Sequence, residues 1–477
     1  MKITLCALNG SYAHSALAVR CLKTALAEGG FDATVIEGNL RDRTLPLLSR
    51  LVQSNADLYG FSCYIWNITQ MLSLAEDLKA LRPDCRILLG GPEVSYNIER
   101  FDALPFVDHI MQGEGETAIV TLARELQAGN APPRVIAGAP DEKFTTRGIH
   151  YEKTKPVTPL VYYESSRGCP FSCAFCLSST AHGVRAKSAA QTLAELAEFE
   201  EIEGDFTVKL VDRTFNFDRE RAKAIWRGLL SEKYTKCYHF EVAAHLLDEE
   251  CFEILGKFPQ GKLRLEIGLQ STNEKTLAAV SRHTDAATVL HAAKRLTEQN
   301  VCHVHLDLIA GLPHEDLASF ARSFDAAYGA CHVLQLGFLK FLHGTALRES
   351  SASFGAVFEQ KAPYTVLKTN VLSFEDVCLL HRVSDLMERL RDSEKFPHSL
   401  PFILSFLPSP FAFYAEFDGY LTTHVKKELQ KTSQRDLFWH LSGFAKEKLP
   451  AHVHDALSER LRADFAAAEV RRAPQGL

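Results

Sequence analysis

The chain has 477 residues, enough for about three domains of ordinary size. Hydrophobic residues make up 46% and charged residues 23%, the composition of a globular protein with buried cores. The net charge is −6 and no block of like charge stands out, so nothing indicates nucleic-acid binding. No run of about 18 apolar residues predicts a membrane span. The start, MKITLCALNG, predicts no signal peptide, and we expect a cytoplasmic protein.

The first third of the chain alternates strand-like and helix-like patterns. Apolar runs such as ITLCAL, ATVIEG, LYGFSC, CRILLGG and VDHIMQ alternate with helical spacings. This repeat favours an α/β fold with a parallel sheet, in which ligands bind at the carboxyl ends of the strands. We expect a Rossmann-like (flavodoxin-like) domain at residues 1–135, with NGSYAH, SCYIW, GGPEVS and QGEGE on its binding edge. A linker at 136–156, richer in Gly, Pro and charge, follows it.

A second strand–helix series begins near Val157. Its six candidate strands are LVYYES, FTVKLV, YHFEVA, LRLEIG, HVHLDLI and VLQLGFL, with helical patterns between them. Six such units predict a partial TIM-type (β/α)6 barrel over residues 157–350, in which chemistry belongs at the carboxyl-terminal rim. Residues 351–477 are predicted to form a mostly helical C-terminal domain.

Three of the twelve cysteines are clustered directly after the first barrel strand, in the stretch RGCPFSCAFC: Cys169, Cys173 and Cys176. A structural zinc site needs four ligands, usually as two close pairs, and no second pair follows within ~20 residues. His182 could be a fourth ligand, but at an unusual spacing. A thioredoxin-like redox pair needs only CxxC. The CxxxCxxC triplet suits a [4Fe–4S] cluster whose fourth iron stays open to a substrate or cofactor.

The triplet, on the rim of a predicted partial barrel, resembles the radical S-adenosylmethionine (SAM) enzymes. The segments VKLVDRTFNFDRERA, LEIGLQSTNEKTLAAVSR, HLDLIAGLPHED and LQLGFLKFLHGTAL are similar, in order and spacing, to the successive rim segments of one subgroup. The resemblance implies that the open iron binds the amino and carboxylate groups of SAM. One electron from the reduced cluster would then release a 5′-deoxyadenosyl radical.

The resemblance also implies roles for single residues. Phe175, before the last cysteine, would pack near the cofactor, and Asp212, at the end of the second strand, would hold the SAM amino group. Further SAM contacts would come from the ends of the next three strands: Glu241, Glu266, Gln270, Asp307 and Gly311. The alternative for each acid is an ion pair that stabilises the barrel rim.

The front domain resembles the cobalamin-binding domain that precedes the barrel in the corrinoid-dependent subgroup. The pattern that supports this is GGPEVSYN (90–97) followed by VDHIMQGEGET (107–117). Because glycine has no Cβ, a corrin ring or its nucleotide tail can approach the backbone closely at these loops. The cobalamin-binding candidates are Asn9, Gly10, Ser11, His14, Ser62, Gly90, Gly91, Gly113, Glu114 and Gly115.

The region around His14 departs from the pattern of the imidazole-ligated corrinoid proteins. Those proteins carry D-x-H-x-x-G after the first strand, whereas this chain has NGSYAHSAL. Because a carboxylate normally orients a metal-binding histidine, we expect His14 to bond to the ligand or to contact a helix start rather than to bind cobalt. The alternative for the whole domain is a degenerate module that binds nothing and covers the barrel.

These features predict a cobalamin-dependent radical SAM enzyme. Its deoxyadenosyl radical would abstract a hydrogen from an unactivated carbon, and methylcobalamin would deliver a methyl group to that carbon. Alternatives are a corrinoid-assisted cyclisation, rearrangement or oxidation and, in another class, a non-catalytic iron–sulfur electron-transfer module.

The expected partners are a small-molecule, lipid or peptide substrate and an electron donor such as flavodoxin or ferredoxin. In the C-terminal part, Tyr364 in APYTVLKTN is a candidate for the substrate pocket. Helices that merely cap the barrel are the alternative there.

Overall fold

The computed structural model describes residues 1–148, 151, 158–180, 183–425 and 432–468. The chain divides into two compact units. The first contains Met1–Leu265, Lys340–Glu349 and Glu359–Tyr364, and the second contains the other described residues. Within the described ranges, no helix is long and apolar enough to cross a membrane.

The front domain is a six-stranded sheet with helices on both faces. The strands are β1 (Ile3–Asn9), β2 (Ala33–Asn39), β3 (Leu58–Ser62), β4 (Arg86–Gly90), β5 (His109–Gln112) and β6 (Val135–Ala137). Their order is β2-β1-β3-β4-β5-β6 and every pair is parallel. The order reverses between β1 and β3, so a crevice for ligands is expected at the carboxyl ends of these two strands. The flavodoxin-like prediction is confirmed.

The two faces of β1 explain why ITLCAL forms a central strand. Side chains alternate across a strand, and in β1 both faces are apolar. Cys6 and Leu8 pack into one core, while Ile3, Leu5 and Ala7 pack into the other. The helices that cover these cores are α1 (Leu17–Glu28), α2 (Thr44–Ser54), α3 (Ile68–Leu81), α4 (Pro92–Ser95), α5 (Ile98–Asp102) and α6 (Glu116–Gln127).

The segment after the front sheet is packed against its surroundings. β6 extends the sheet two residues past the predicted boundary at 135. Asp141 and Phe144 are buried, and Arg147 pairs with Asp141 and, at 3.1 Å, with Glu28 of α1. Residues 149–150 and 152–156 of the predicted linker lie outside the described residues, as does residue 157, the predicted start of the barrel.

The second sheet has six strands as well, in the order β14-β13-β12-β11-β10-β7. They are β7 (Leu160–Tyr163), β10 (Thr207–Leu210), β11 (Cys237–Val242), β12 (Leu263–Gln270), β13 (Cys302–Ala310) and β14 (Val333–Phe338), and β8 (Ser166–Gly168) and β9 (Val184–Ala186) form a separate antiparallel pair. In the first unit β10 pairs in parallel with both β7 and β11. In the second unit β13 pairs in parallel with β14. All six predicted strands are present.

The helices between these strands begin at side-chain caps. They are α7 (Ala189–Glu200), α8 (Arg219–Leu229), α9 (Glu249–Leu255), α10 (Glu274–Ala279), α11 (Ala286–Gln299) and α12 (Leu317–Tyr328). Each cap side chain accepts a hydrogen bond from a backbone amide of the first helical turn. The caps are Ser188, Asp218, Asp248, Asn273, Asp285 and Asp316.

The C-terminal part is mostly helical, as predicted. After α13 (Ala346–Glu349), it contains β15 (Val357–Phe358), β16 (Val366–Lys368), α14 (Phe374–Met387), α15 (Ser399–Leu404), α16 (Pro410–His424), α17 (Gln434–Lys448) and α18 (His454–Ala467). Capping boxes at Ser373 and Ser433 start α14 and α17. Aromatic rings fill the core between α16 and α17, where Phe417 lies 5.3 Å from Phe444.

Candidate active site

The three clustered cysteines lie on the loop between β8 and β9. Cys173 is buried, and Cys169 and Cys176 are half-buried. The amide of Cys176 donates to the carbonyl of Cys173 at 3.1 Å, which forms a tight turn. Gly168 precedes the loop at φ +100°, and a Cβ there would collide with the carbonyl oxygen of Gly183. Only glycine permits the two strands to approach this closely at the base of the loop.

The donor set fits a polynuclear group with a separate iron for each thiolate. None of the three cysteines forms a disulfide with a described residue, and the Sγ atom of Cys169 lies 3.6 Å from the hydroxyl of Thr214. In the described part of the chain, no three His, Cys, Asp or Glu side chains are grouped closely enough to hold one metal ion. A [4Fe–4S] cluster does not need such a group, because each cysteine binds a different iron. His182, the alternative zinc ligand, lies outside the described residues.

Asp212 holds the backbone just before the cysteine loop. Its carboxylate is fully buried and accepts hydrogen bonds from the amide of Ser165 at 2.8 Å, the hydroxyl of Ser166 at 2.8 Å and the hydroxyl of Ser165. Burial raises the pKa of this carboxyl, while the serines and Arg221 oppose that effect. The structure thus shows a tie between the end of β10 and the start of β8. The predicted contact of Asp212 with the SAM amino group stays a prediction.

Polar residues line one face of the strands in the first unit. Lys209 of β10 is opposite Tyr162 of β7 and His239 of β11. The Lys209 ammonium lies 3.9 Å from the Glu241 carboxylate, and both side chains are half-buried. Phe175, from the cysteine loop, is half-buried as well.

In the second unit, Gln270 is the most unusual of the predicted residues. It has φ +71°, and its buried Oε1 atom accepts no hydrogen bond from the described residues. Because buried acceptors are nearly always satisfied, this orphaned atom fits a contact with a bound ligand. Glu266 and Asp307 are half-buried on β12 and β13. Gly311 has φ +91°, and a Cβ there would lie 2.6 Å from Val366.

The loop after β1 is tied together by its own side chains. Asn9 donates to the carbonyl of His14 at 3.1 Å and to the Glu37 carboxylate at 3.0 Å. The hydroxyl of Ser11 accepts from the amide of Ala13 at 3.3 Å. By contrast, a Cβ on Gly10 would meet no atom within 4 Å. Gly10 is therefore the point of this loop with space beside the backbone.

His14 faces the first barrel strand. Its Nδ1 atom lies 2.6 Å from the hydroxyl of Tyr162, and the two rings stack with centroids 5.9 Å apart. Partial burial and the nearby Lys209 ammonium lower the pKa of the imidazole. The expected contact with a helix start is not made, because α1 begins at Leu17 and the side chain bonds to Tyr162 instead.

Two of the predicted corrin-binding glycines are required by contacts inside the protein. Gly91 has φ +114°, and a Cβ there would lie 2.5 Å from the carbonyl oxygen of Cys63. Gly113 has φ +81°, and a Cβ would lie 3.1 Å from the carbonyl oxygen of Gly138. The other two glycines of these loops lie beside neighbouring side chains: Gly90 beside Met111, and Gly115 beside Leu22 and Met111. Close approach of a corrin at these positions stays a prediction.

Ser62 closes β3 and is buried. The side-chain amide of Asn67 donates to its carbonyl at 3.0 Å and to the carbonyl of Leu8 at 3.1 Å, which joins the ends of β1 and β3. In the same loop Trp66 is 51% exposed and stacks on Tyr64 at 4.3 Å. The sequence analysis did not single out Trp66, although it lies at the expected ligand crevice.

Glu114, after β5, is held by two arginines from the base of the cysteine loop. It accepts from Arg167 at 2.7 Å, from Arg185 and from the amide of Asp141 at 2.9 Å. Burial alone would raise the pKa of this carboxyl, but the Asp141 amide and the two guanidinium groups outweigh it and lower the pKa. Sequence reasoning missed both arginines and Glu116. The only signals were the RG before the first cysteine and the second glutamate of GEGE.

Tyr364 does not line a substrate pocket. Its side chain is 1% exposed, and its hydroxyl donates to the buried Glu93 carboxylate after β4. Arg100 donates to the same hydroxyl at 3.2 Å. Burial raises the pKa of Glu93 despite the hydrogen bond from Tyr364 and the positive charge of Arg100. The expectation of a pocket residue at Tyr364 was wrong, because this segment packs onto the front domain.

Three family models match the chain. The B12 binding domain matches residues 4–123, and the Radical SAM superfamily matches residues 163–327. A family described as a protein of unknown function (DUF4080) matches residues 352–476. The two functional families fall on the two sheets.

Several of the curated relatives are methyltransferases. The 2-(S-pantetheinyl)-carbapenam-3-carboxylate methyltransferase of Streptantibioticus cattleyicolor is 26% identical over 56% of this chain and 44% of its own length. The cobalamin-dependent radical SAM methyltransferase TokK of Streptomyces tokunonensis is 26% identical over 55% of this chain and 44% of its own length. The hopanoid C-3 methylase of Methylococcus capsulatus is 25% identical over 50% of this chain and 51% of its own length. The chain spans about half the length of these curated relatives.

Two solved structures share the fold over nearly the whole chain. The radical SAM methyltransferase TsrM from Kitasatospora setae, with cobalamin and a [4Fe–4S] cluster bound, has a TM-score of 0.63 at 14% identity and covers 98% of this chain and 99% of its own. The cobalamin-dependent SAM radical enzyme OxsB, with aqua-cobalamin bound, has a TM-score of 0.65 at 13% identity and covers 98% and 84%.

Proposed function

We propose that this chain, which carries a B12-binding domain and a Radical SAM domain, is a methyltransferase acting on an unactivated carbon. The support is a B12-binding domain and a radical SAM domain in one chain, together with relatives that are methyltransferases. The observation that carries the proposal is the junction of the two domains. Glu114, at the ligand edge of the front sheet, bonds to Arg167, two residues before the first cysteine.

When bound, SAM would supply a deoxyadenosyl group that takes the substrate hydrogen, and cobalamin would supply a methyl group drawn from a second SAM. Each turnover takes in the substrate C–H, two SAM molecules and two electrons. It gives the methylated substrate, methionine, 5′-deoxyadenosine and S-adenosylhomocysteine. The two electrons would come from a low-potential flavodoxin or ferredoxin.

The protein residues bind and position. Cys169, Cys173 and Cys176 would hold the cluster, and Phe175 on the same loop would pack beside SAM. Gln270 offers an unsatisfied buried acceptor for a SAM hydroxyl or amino group. In the first unit, Lys209 and Glu241 present opposite charges 3.9 Å apart for the polar parts of SAM or substrate.

On the front domain, the open space beside Gly10 and the exposed ring of Trp66 are available to a corrinoid. The Nδ1 atom of His14 lies against the phenol of Tyr162, where an activated metal-binding histidine would normally face a carboxylate. We therefore propose that His14 positions the loop after β1 and is not a cobalt ligand.

The proposal also covers the substrate class and the location of the protein in the cell. A small molecule, a lipid or a peptide would each fit a methyltransferase of this kind, and the electron donor points to a cytoplasmic setting. The described cysteines form no disulfide, which is consistent with a reducing compartment.

Anaerobic reconstitution with iron, sulfide and cobalamin tests whether these residues bind the cofactors. The wild-type protein should bind one [4Fe–4S] cluster and one cobalamin, each visible in its absorption spectrum. Cys173→Ala should bind cobalamin and lose the cluster, whereas Cys378→Ala, which changes a half-buried cysteine outside the triplet, should keep both. A Cys173→Ala protein with full iron and sulfide content would contradict the assignment.

A further inference from the structure

Arg167 is the centre of a charged network between the front domain and the cysteine loop. Its Nη1 atom lies 2.7 Å from Glu114, and its Nη2 atom lies 2.8 Å from Glu116. The same guanidinium binds Glu164 through Nε at 3.0 Å and Nη2 at 2.8 Å. One planar group thus joins β8 to the loop between β5 and α6.

The network is sheltered from solvent. The Arg167 side chain is 19% exposed and the Glu116 side chain 7%. The guanidinium also lies 4.6 Å from the ring centroid of the buried Phe144. A lysine cannot reproduce this arrangement, because an ammonium has no planar fork to bind three carboxylates and stack on a ring.

The second strand of the pair strengthens the same contact. Arg185 of β9 is directly opposite Arg167 of β8. It binds the other oxygen of Glu114 and donates to the carbonyl of Asp141 at 2.9 Å. Glu114 is therefore held from both strands, and the loop that carries the cysteines is the connection between those strands.

This geometry has a consequence for a reaction that needs two cofactors. The cysteine loop would hold the cluster and SAM, while the loops at the end of the front sheet would hold the corrinoid. A misplacement of about 1 Å between reacting groups can cost about a hundredfold in rate. The contact that fixes one loop on the other therefore sets the distance on which the reaction depends.

We propose that Arg167 is a positioning residue that, with Glu114 and Glu116, fixes the cysteine loop on the β5–α6 loop and so sets the distance from the cluster to cobalt. The proposal rests on the proposed function for its second part only. The contacts of Arg167 with Glu114 and Glu116, called the clamp below, belong to the folded chain and are measurable without any cofactor.

Two conservative substitutions and one control substitution test the clamp. Arg167→Lys keeps the charge but loses the fork, and Glu116→Gln keeps an acceptor but loses the charge. The control is Asp108→Asn, which breaks a similarly buried ion pair with Lys79 at 2.9 Å, at the amino end of β5 and away from the cysteine loop. Each variant weakens charged contacts of the front domain, and the control also loses the charge that Asp108 presents to Arg86 at 3.3 Å.

The first measurement is hydrogen exchange on the cofactor-free protein. Residues 113–116 and the described parts of 166–186 should exchange about tenfold faster in Arg167→Lys and Glu116→Gln, because a charge-assisted hydrogen bond is lost. In Asp108→Asn these two segments should exchange at the wild-type rate. Equal rates in all four proteins, or an equal rise in the control, would overturn the proposal.

The second measurement uses protein loaded with iron, sulfide and hydroxocobalamin, without SAM, and then reduced, so that neither cofactor is consumed. The magnetic coupling between the reduced cluster and cob(II)alamin depends on their separation. The two clamp variants should bind both cofactors in wild-type amounts and show a broadened distribution of cluster–cobalt distances, while the control stays narrow. An unchanged distribution would overturn the distance claim. A wild-type protein that binds no cobalamin would instead contradict the proposed function and leave the exchange result to decide the clamp.

Discussion

Two acidic residues that follow neighbouring strands of the front sheet are held in opposite ways. Glu114, after β5, is surrounded by Arg167, Arg185 and a backbone amide, and its pKa is lowered. Glu93, after β4, is more deeply buried, receives its hydrogen bond from Tyr364, and its pKa is raised. Both loops belong to the glycine-rich pattern that predicted cobalamin binding, yet each carboxylate binds protein side chains.

The difference shows how each loop is fixed. The hydrogen bonds of a charged carboxylate between two guanidinium groups are directional. Removal of one partner leaves a buried charge unpaired and destabilises the protein strongly. A carboxyl whose pKa is raised by burial depends mainly on one hydrogen bond, and Arg100 at 3.7 Å with a 42% exposed side chain adds little. The β5–α6 loop is thus held by charge, and the loop after β4 by packing and one hydroxyl.

The largest difference between the two sites should appear in the free energy of unfolding when each carboxylate is replaced by a neutral amide. Glu114→Gln should lower the free energy of unfolding by about 3 kcal/mol, the low end for a buried pair, because its side chain is 25% exposed. Glu93→Gln should cost less than about 1 kcal/mol, because the amide oxygen still accepts from Tyr364. Urea unfolding followed by tryptophan fluorescence measures both. Equal losses at the two sites would contradict the comparison.

Removal of the donor hydroxyl should affect Glu93 and leave Glu114 unchanged. Tyr364→Phe leaves a buried carboxyl without its main hydrogen bond, so unfolding should become easier by about 1–3 kcal/mol. The matched control is Tyr96→Phe, which removes a hydroxyl bonded to Thr180 at 2.6 Å on an exposed side chain. That change should stay within about 0.5 kcal/mol. A larger loss for the control than for Tyr364→Phe would show that the hydroxyl of Tyr364 is unimportant.

The smallest expected effect is a loss of stability at low pH through His343. Burial, Arg348 and Arg100 lower the pKa of His343 to about 4, and its Nε2 atom lies 3.2 Å from the Asn97 side-chain amide. A histidine with a lowered folded-state pKa contributes stability that is present above its ordinary pKa of about 6.5 and is lost as pH falls towards 4.

His343→Gln keeps an acceptor for Asn97 and does not titrate. Between pH 6.5 and 4, its free energy of unfolding should fall by about 1–2 kcal/mol less than that of the wild type, a value reduced for partial exposure. The raised pKa of Glu93 acts in the opposite direction in both proteins, so the difference between them isolates His343. Parallel pH curves would contradict this assignment.

Much of the fold follows from local patterns in the sequence. The runs ITLCAL and HVHLDLI are long enough for burial to show as periodicity, and both sheets were predicted from such runs. The β8–β9 pair was missed because SRG and VRA are three residues each, too short for any period. β6, also three residues, fell in the segment predicted as a linker.

At the candidate site, too, only features that are local in the sequence could be predicted. The cysteine triplet is local, so its chemistry is predictable from spacing. The partners of Glu114 are 53 and 71 positions away along the chain, and the partner of Glu93 is 271 away. Nothing near GEGE or GGPEVSYN in the sequence indicates an arginine pair or a tyrosine. Tyr364 was therefore predicted to line a pocket although it packs under a front-domain loop.

One product analysis tests the central claim most directly. The reconstituted protein, with cobalamin, SAM and a low-potential reductant, is quenched and assayed for 5′-deoxyadenosine and S-adenosylhomocysteine. We predict both products from the wild type and no 5′-deoxyadenosine from Cys173→Ala. A fully loaded wild-type protein that forms 5′-deoxyadenosine without S-adenosylhomocysteine would contradict methyl transfer, and one that forms no 5′-deoxyadenosine would contradict the radical reaction itself.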